Sequence, residues 1–245
     1  MGMDSAFKDV RFAVRTLFKN PGPTLAAVFA LMLGIGANSA IFSVVNGVLL
    51  KPLNYPSPDR LAILWEANPG KGIHQFHVAP PDYRDWLEQA RSFDALAAYR
   101  ARPAVLTGGA LPERLEAAAV SARMFELLGA RAAAGRVFQP GEDQPGRPCV
   151  AVLSHGLWLR RFGGDRAVVG STISLDGGPC SVVGVADARF RLPDTASELW
   201  LPYALDPAEL KERGYHTLKV IGRLAPGRTL GVVGESGCGK SVTSL

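Results

Sequence analysis

Charge is missing where its absence says most. From Thr24 to Leu50 there is no Asp, Glu, Lys or Arg, a gap of 27 residues bounded by Pro21-Gly22-Pro23 and Lys51-Pro52. As a helix rising 1.5 Å per residue, such a run reaches about 40 Å, more than the roughly 30 Å of a bilayer core. A cleavable signal would end near Ala37-Asn38-Ser39-Ala40, yet the uncharged run continues ten residues farther. A buried core helix needs no such length. We therefore predict a transmembrane helix over 24–50. Ser39, Ser43 and Gly47 place small groups at four-residue spacing on one face, where a second helix could approach.

Other scarcities exclude chemistry. Of three cysteines, Cys149 and Cys180 lie in the body, where they could bridge in an oxidising space, but the sequence does not establish that they meet. Four histidines are spread thinly: His74 and His77 are three apart in an extended stretch and should point to opposite faces, while His155 and His216 have no neighbouring ligand types. Acidic residues are scattered rather than paired, and no G-x-S-x-G or Cys/His arrangement occurs, so an extracytoplasmic enzyme has no support. The net charge of +5 comes without a basic stretch interleaved with aromatics, which argues against nucleic acid.

What is present gives orientation. Lys8, Arg11, Arg15 and Lys19 precede the span, whereas its first twenty following residues hold only Lys51 and Arg60 beside Asp59 and Glu66, so the N-terminus should be cytoplasmic. Phe7, Val10, Val14, Leu17 and Phe18 form an apolar stripe opposite those basic residues, with Asp4 as an N-cap, predicting an interfacial amphipathic helix over 4–20 on membrane lipid.

Residues 53–226 then alternate strand-like and helix-like runs. Leu61–Trp65 reads as a strand, and Pro80–Glu88 as a helix opened by proline and acid. Ser121 should cap a helix over 122–128 closed by Gly129, and Ser154 one over 156–162 closed by Gly163-Gly164. Thr172–Leu175, Asp176-Gly177-Gly178 and Cys180–Val183 make a hairpin signal. The fold class expected is an α+β extracytoplasmic domain of mixed strands and short helices, in two lobes, on one transmembrane helix.

The last motif points elsewhere. Gly234, Gly237, Gly239, Lys240 and Ser241 complete G-x-x-x-x-G-K-[ST], in which backbone amides cradle phosphates, the lysine neutralises them and the hydroxyl holds magnesium. Such a loop needs the full helix that receives the phosphates and a downstream acidic partner for the metal. Here the chain ends at Leu245, so the motif is read as a vestigial cofactor-binding loop.

The blocks Asp9–Arg15, Asn20–Gly22, Leu33–Asn38, Ala40–Asn46, Leu49–Leu53 and Tyr55–Leu61 closely resemble the start of ABC-transporter permeases of the MacB/FtsX type. So do Val120-Ser121, Phe125–Gly129, Gly135–Phe138, Val152–Ser154, Leu157-Trp158, Arg161–Gly164, Val182–Val185 and Ile221–Gly227. The resemblance implies a cytoplasmic interfacial helix, a first transmembrane helix, an extracytoplasmic core domain and three later spans. It further implies a second permease copy, an ABC ATPase subunit carrying the ATP and magnesium, and an extracytoplasmic adaptor protein as partners, at the inner membrane. Residues 228–245 instead resemble the opening of an ABC ATPase of the peptide-importer kind. We therefore expect a truncated permease chimera with no enzymatic activity and no cofactor of its own. A membrane-anchored P-loop NTPase and a stand-alone anchored binding module are the alternatives.

Overall fold

The computed structural model describes Arg15, Lys19 and residues 21–45, 55–109, 111–227 and 239–244. The boundary between two compact units falls between Pro52 and Leu53. In the first unit, helix α1 spans Pro21–Val45, starting three residues earlier than expected. Residues 46–50 of the predicted span lie outside the described residues, as does nearly all of the interfacial segment 4–20; Arg15 and Lys19, its two described members, are helical. Among the described residues α1 is the one helix long and apolar enough to cross a membrane, over Pro21–Ser39. Leu25, Phe29, Leu33, Ile35 and Phe42 all stand exposed on it. A helix apolar all round has no polar face for water, which suits it to lipid.

The second unit is built on one mixed sheet, and strand periodicity explains how it is covered. The strands are β1 (Leu61–Asn68), β2 (Ile73–Phe76), β3 (Phe93–Ala101), β4 (Ala104–Thr107), β5 (Glu113–Leu115), β6 (Ala117–Val120) and β7 (Ala132–Gly135). They continue with β8 (Val150–Leu153), β9 (Thr172–Leu175), β10 (Gly178–Ala186), β11 (Leu199–Pro202), β12 (Lys219–Leu224) and β13 (Gly239–Ser244). Helices α2 (Pro80–Gln89), α3 (Met124–Leu127) and α4 (His155–Phe162) lie between them. The spatial order is β13-β1-β12-β3-β6-β11-β8-β10-β9-β4-β5, with β2 added to β1 and β7 to β10. The pairs β6·β11 and β8·β10 are parallel and the others antiparallel.

Successive residues of a strand point to opposite faces. Along β3, Leu96 and Ala98 join one core cluster while Ala97 and Tyr99 join another; along β11, Trp200 separates from Leu199 and Leu201 in the same way. One face therefore carries a single core, centred on Phe125 of α3 with Phe138, Phe190 and Trp200. The opposite face carries two cores side by side. Tyr83 and Trp86 of α2 cover β1, β3 and β12, and Leu157 of α4 covers β8, β9 and β10. The two expected lobes are thus joined, because one sheet serves both.

Several local expectations match. Ser154 accepts the Leu157 N–H at 3.0 Å and Gly163, at φ 62°, closes α4. Asp176 (φ 52°) and Gly177 (φ 81°) form the two-residue turn between β9 and β10. The Ser121 cap does not form: α3 begins at Met124 with Arg123 before it and no side-chain cap. The Ser121 hydroxyl instead accepts the Ala98 N–H at 2.9 Å and lies 3.0 Å from Tyr83 Oη, so it ties β3 to α2.

Candidate functional site

Two polar regions lie at opposite ends of the same strands. The register fixes this: Leu61 faces Arg223 and Leu64 faces Val220, while Leu224 faces Phe93 and Lys219 faces Tyr99. One end thus gathers the start of β1, the end of β12 and the start of β3. The other gathers the end of β1, the start of β12 and the end of β3.

The first end is a base where the second unit begins and where β12 ends. Arg60 donates from Nε to the Leu224 carbonyl at 2.9 Å, and its Nη2 bonds that carbonyl and the Asp94 carboxylate. Arg223 donates from Nε and Nη2 to the Leu127 carbonyl at 3.0 and 2.6 Å, and from Nη1 to the Pro56 carbonyl at 2.9 Å. Burial, and then Arg60, lower the pKa of Arg223. Tyr55 donates to the Arg191 carbonyl at 2.8 Å; burial first and Asp194 second push its phenol up to about 12. A planar guanidinium offers several donors in fixed directions, so one arginine can satisfy carbonyls from two segments at once. The base therefore clamps residues more than 160 apart in sequence, such as Arg60 and Leu224. Sequence reading passed over these arginines. The signal available was Arg223 itself, a cation set between Gly222 and Leu224 near the end of the strand Lys219-Val-Ile-Gly-Arg-Leu224.

The other end holds a cavity of about 560 Å³ beside a buried carboxylate. Glu66 on β1 is 4% exposed. Its Oε1 accepts the Ala79 N–H at 2.9 Å, and its Oε2 lies 2.8 Å from His216 Nδ1, within ion-pair reach but without an aligned hydrogen bond. Nδ1 is also 3.1 Å from the His77 carbonyl. Burial is the largest influence on Glu66 and raises its pKa; the Ala79 hydrogen bond and His216 oppose that, and Asp82 adds to it. The His77 ring stacks on Trp65, with centroids 5.8 Å apart, and its pKa is lowered by burial and then by Lys219. Glu209 is spent on Arg100 and on the Tyr203 hydroxyl, each at 2.8 Å.

The predicted site residues are described only in part. Gly234 and Gly237 lie outside the described residues. Gly239, Lys240 and Ser241 fall in β13, which pairs antiparallel with β1, Lys240 opposite Glu66 and Ser241 opposite Trp65. The described end of the motif, Gly239–Ser241, is thus extended in a strand at the sheet edge. His74 is exposed on β2, His155 contacts Trp158 edge-on, and His216, isolated in sequence, meets Glu66. No group of three metal-ligand side chains occurs among the described residues. Cys149 and Cys180, left open by the sequence, form a disulfide with Cα atoms 4.6 Å apart where β8 and β10 pair.

Comparison with known proteins adds the lineage. The profile of the MacB-like periplasmic core domain matches residues 24–235. No curated protein matches the sequence. Among solved structures, a domain assigned to a permease protein of Porphyromonas gingivalis superposes with a TM-score of 0.59 at 16% identity, covering 78% of this chain and 93% of that one. The periplasmic region of MacB from Actinobacillus actinomycetemcomitans gives 0.54 at 13% identity, covering 75% and 82%. The extracellular domain of the noncanonic ABC-type transporter YknZ from Gram-positive bacteria gives 0.50 at 13%, covering 68% and 84%. At these identities the structural likeness speaks for the fold.

Proposed function

The chain belongs to the MacB-like periplasmic core domain family, and from this we propose that it is a permease component of an ABC-type transporter, with residues 53–226 as the extracytoplasmic domain. The observation that carries the reading is the single family match over residues 24–235, which runs from within α1 through strands β1 to β12. In this reading ATP and magnesium belong to a partner ABC ATPase subunit, and residues 228–245 hydrolyse nothing. A second permease copy, membrane lipid and an extracytoplasmic adaptor protein complete the assembly.

The base supplies a mechanical rationale. A domain that relays motion must move as a body when its ends are pulled, so its entry and exit strands should be bonded to each other and to the core. Arg60 and Arg223 make those bonds, and β1 and β12 are adjacent in the sheet. Sheets and packed cores transmit displacement because interiors are close-packed.

Topology tests the reading. An epitope inserted after Gly108, beside the exposed Leu111, should be reached in spheroplasts without permeabilising the inner membrane. Access only from the cytoplasmic side would overturn it. In the same cells a tag on the N-terminus should be reached only after permeabilisation.

A further inference from the structure

We propose that the cavity at the strand ends opposite the base binds a phosphate-type dianion. The cavity is lined by Arg100, Arg102 and Lys219 against a single lining acid, Glu209, with the Glu66 carboxyl behind the wall, 2.8 Å from His216 Nδ1. Glu209 is already held by Arg100 and Tyr203, so that pair is internally neutral. Two cations then remain. Arg102 reaches Asp176 only at 3.9 Å, with both side chains more than 40% exposed, a pairing worth little in water. Lys219 lies over the Tyr99 ring at 5.9 Å and makes no ion pair among the described residues. A monoanion would leave one of these charges unmatched; a dianion meets both.

Hydrogen-bond donors in the same wall fit an oxygen-rich ligand. The Thr217 side chain lies in that wall with its hydroxyl covered and without a hydrogen-bond partner in the structure, although buried polar atoms are nearly always paired, so a ligand reaches it once the covering side chains shift. His216 turns Nδ1 toward Glu66 and the His77 carbonyl, and its Nε2 makes no hydrogen bond among the described residues. A phosphate has oxygens enough to take Thr217, His216 and both cations together, and charge-assisted hydrogen bonds are the stronger kind. The site is separate from the Gly234–Ser241 motif in its residues and in its chemistry, since it uses side chains where that motif uses backbone amides.

The test is calorimetric titration of the full chain, in phosphatidylcholine nanodiscs, with inorganic phosphate and with acetate. One saturable phosphate site is expected, with acetate at least about tenfold weaker. Lys219→Gln and Arg102→Gln should each weaken phosphate about tenfold, and Thr217→Val about fivefold. Lys219→Arg should retain binding. Arg189→Gln, an equal change of charge at a side chain 82% exposed elsewhere, should leave it unchanged, as should Lys240→Ala in the terminal motif. Tryptophan fluorescence checks that each variant is folded. Absence of saturable phosphate binding, equal affinity for acetate, equal loss in Arg189→Gln, or dependence on Lys240 would each overturn the proposal. Competition distinguishes the source of the group: displacement by phosphatidic acid in the disc identifies a lipid headgroup, and displacement only by dissolved glycerol 3-phosphate identifies a soluble ester.

Discussion

Replacing Phe125 with alanine should cost the sheet unit about 4 kcal/mol of stability. The side chain is fully buried, at the centre of the core that covers one whole face of the sheet. Removing a buried Phe costs about 3–5 kcal/mol, because apolar transfer is lost and a cavity remains. Three aromatic neighbours, Phe138, Phe190 and Trp200, stand with centroids 5.3, 4.9 and 5.8 Å away. Such pairs add about 0.5–1.5 kcal/mol beyond their area, which puts this site above the lower end of the range. A domain of this size shifts its Tm by about 2–4 °C per kcal/mol, so a fall of about 8–16 °C is expected. Against a total stability of about 5–15 kcal/mol the variant should still fold. Tryptophan fluorescence during urea titration is the assay, because Trp65, Trp86, Trp158 and Trp200 all lie in the sheet unit and α1 is silent. Phe125→Leu keeps most of the volume and should cost about 1.5 kcal/mol. A Phe125→Ala cost below about 1 kcal/mol would refute the reasoning, since a fully buried ring could then be lost almost freely.

Ser154→Ala should cost about 1 kcal/mol by freeing the Leu157 N–H at the start of α4, read from the same urea midpoints, while Ser154→Asp should retain most of it. Reducing the Cys149–Cys180 bridge opens a loop of sequence separation 31 and should lower stability by about 3.7 kcal/mol; melts with and without reductant, compared with a Cys149→Ser/Cys180→Ser chain that no longer responds, decide it. Glu66 has a raised pKa in the folded state, so its contribution is complete below the ordinary glutamate value and is lost as pH rises through its folded midpoint. The stability difference between the native chain and Glu66→Gln should therefore move against the native chain as pH climbs above about 4.3, and a difference flat with pH would show that the carboxylate titrates normally.

Local readings succeeded where neighbouring residues carry the cause. The hairpin at Asp176-Gly177 and the Ser154 cap depend on a few adjacent backbone angles and one short side chain. The Ser121 cap failed because a hydroxyl bonds whatever donor lies nearest, and folding brings β3, remote in the chain, closer than the first turn of α3. At the phosphate motif, the described residues Gly239–Ser244 pair along β1 as a strand.

Sequence alone determined the apolar helix, its uncharged length, the α+β character of the body and the family, since each rests on composition, periodicity or blocks of adjacent residues. Tertiary structure alone decided which distant residues meet: Arg60 with Leu224, Cys149 with Cys180, Glu66 with His216. Strand order and register set those pairings, and they follow from the summed packing of both sheet faces, which no short stretch of chain encodes.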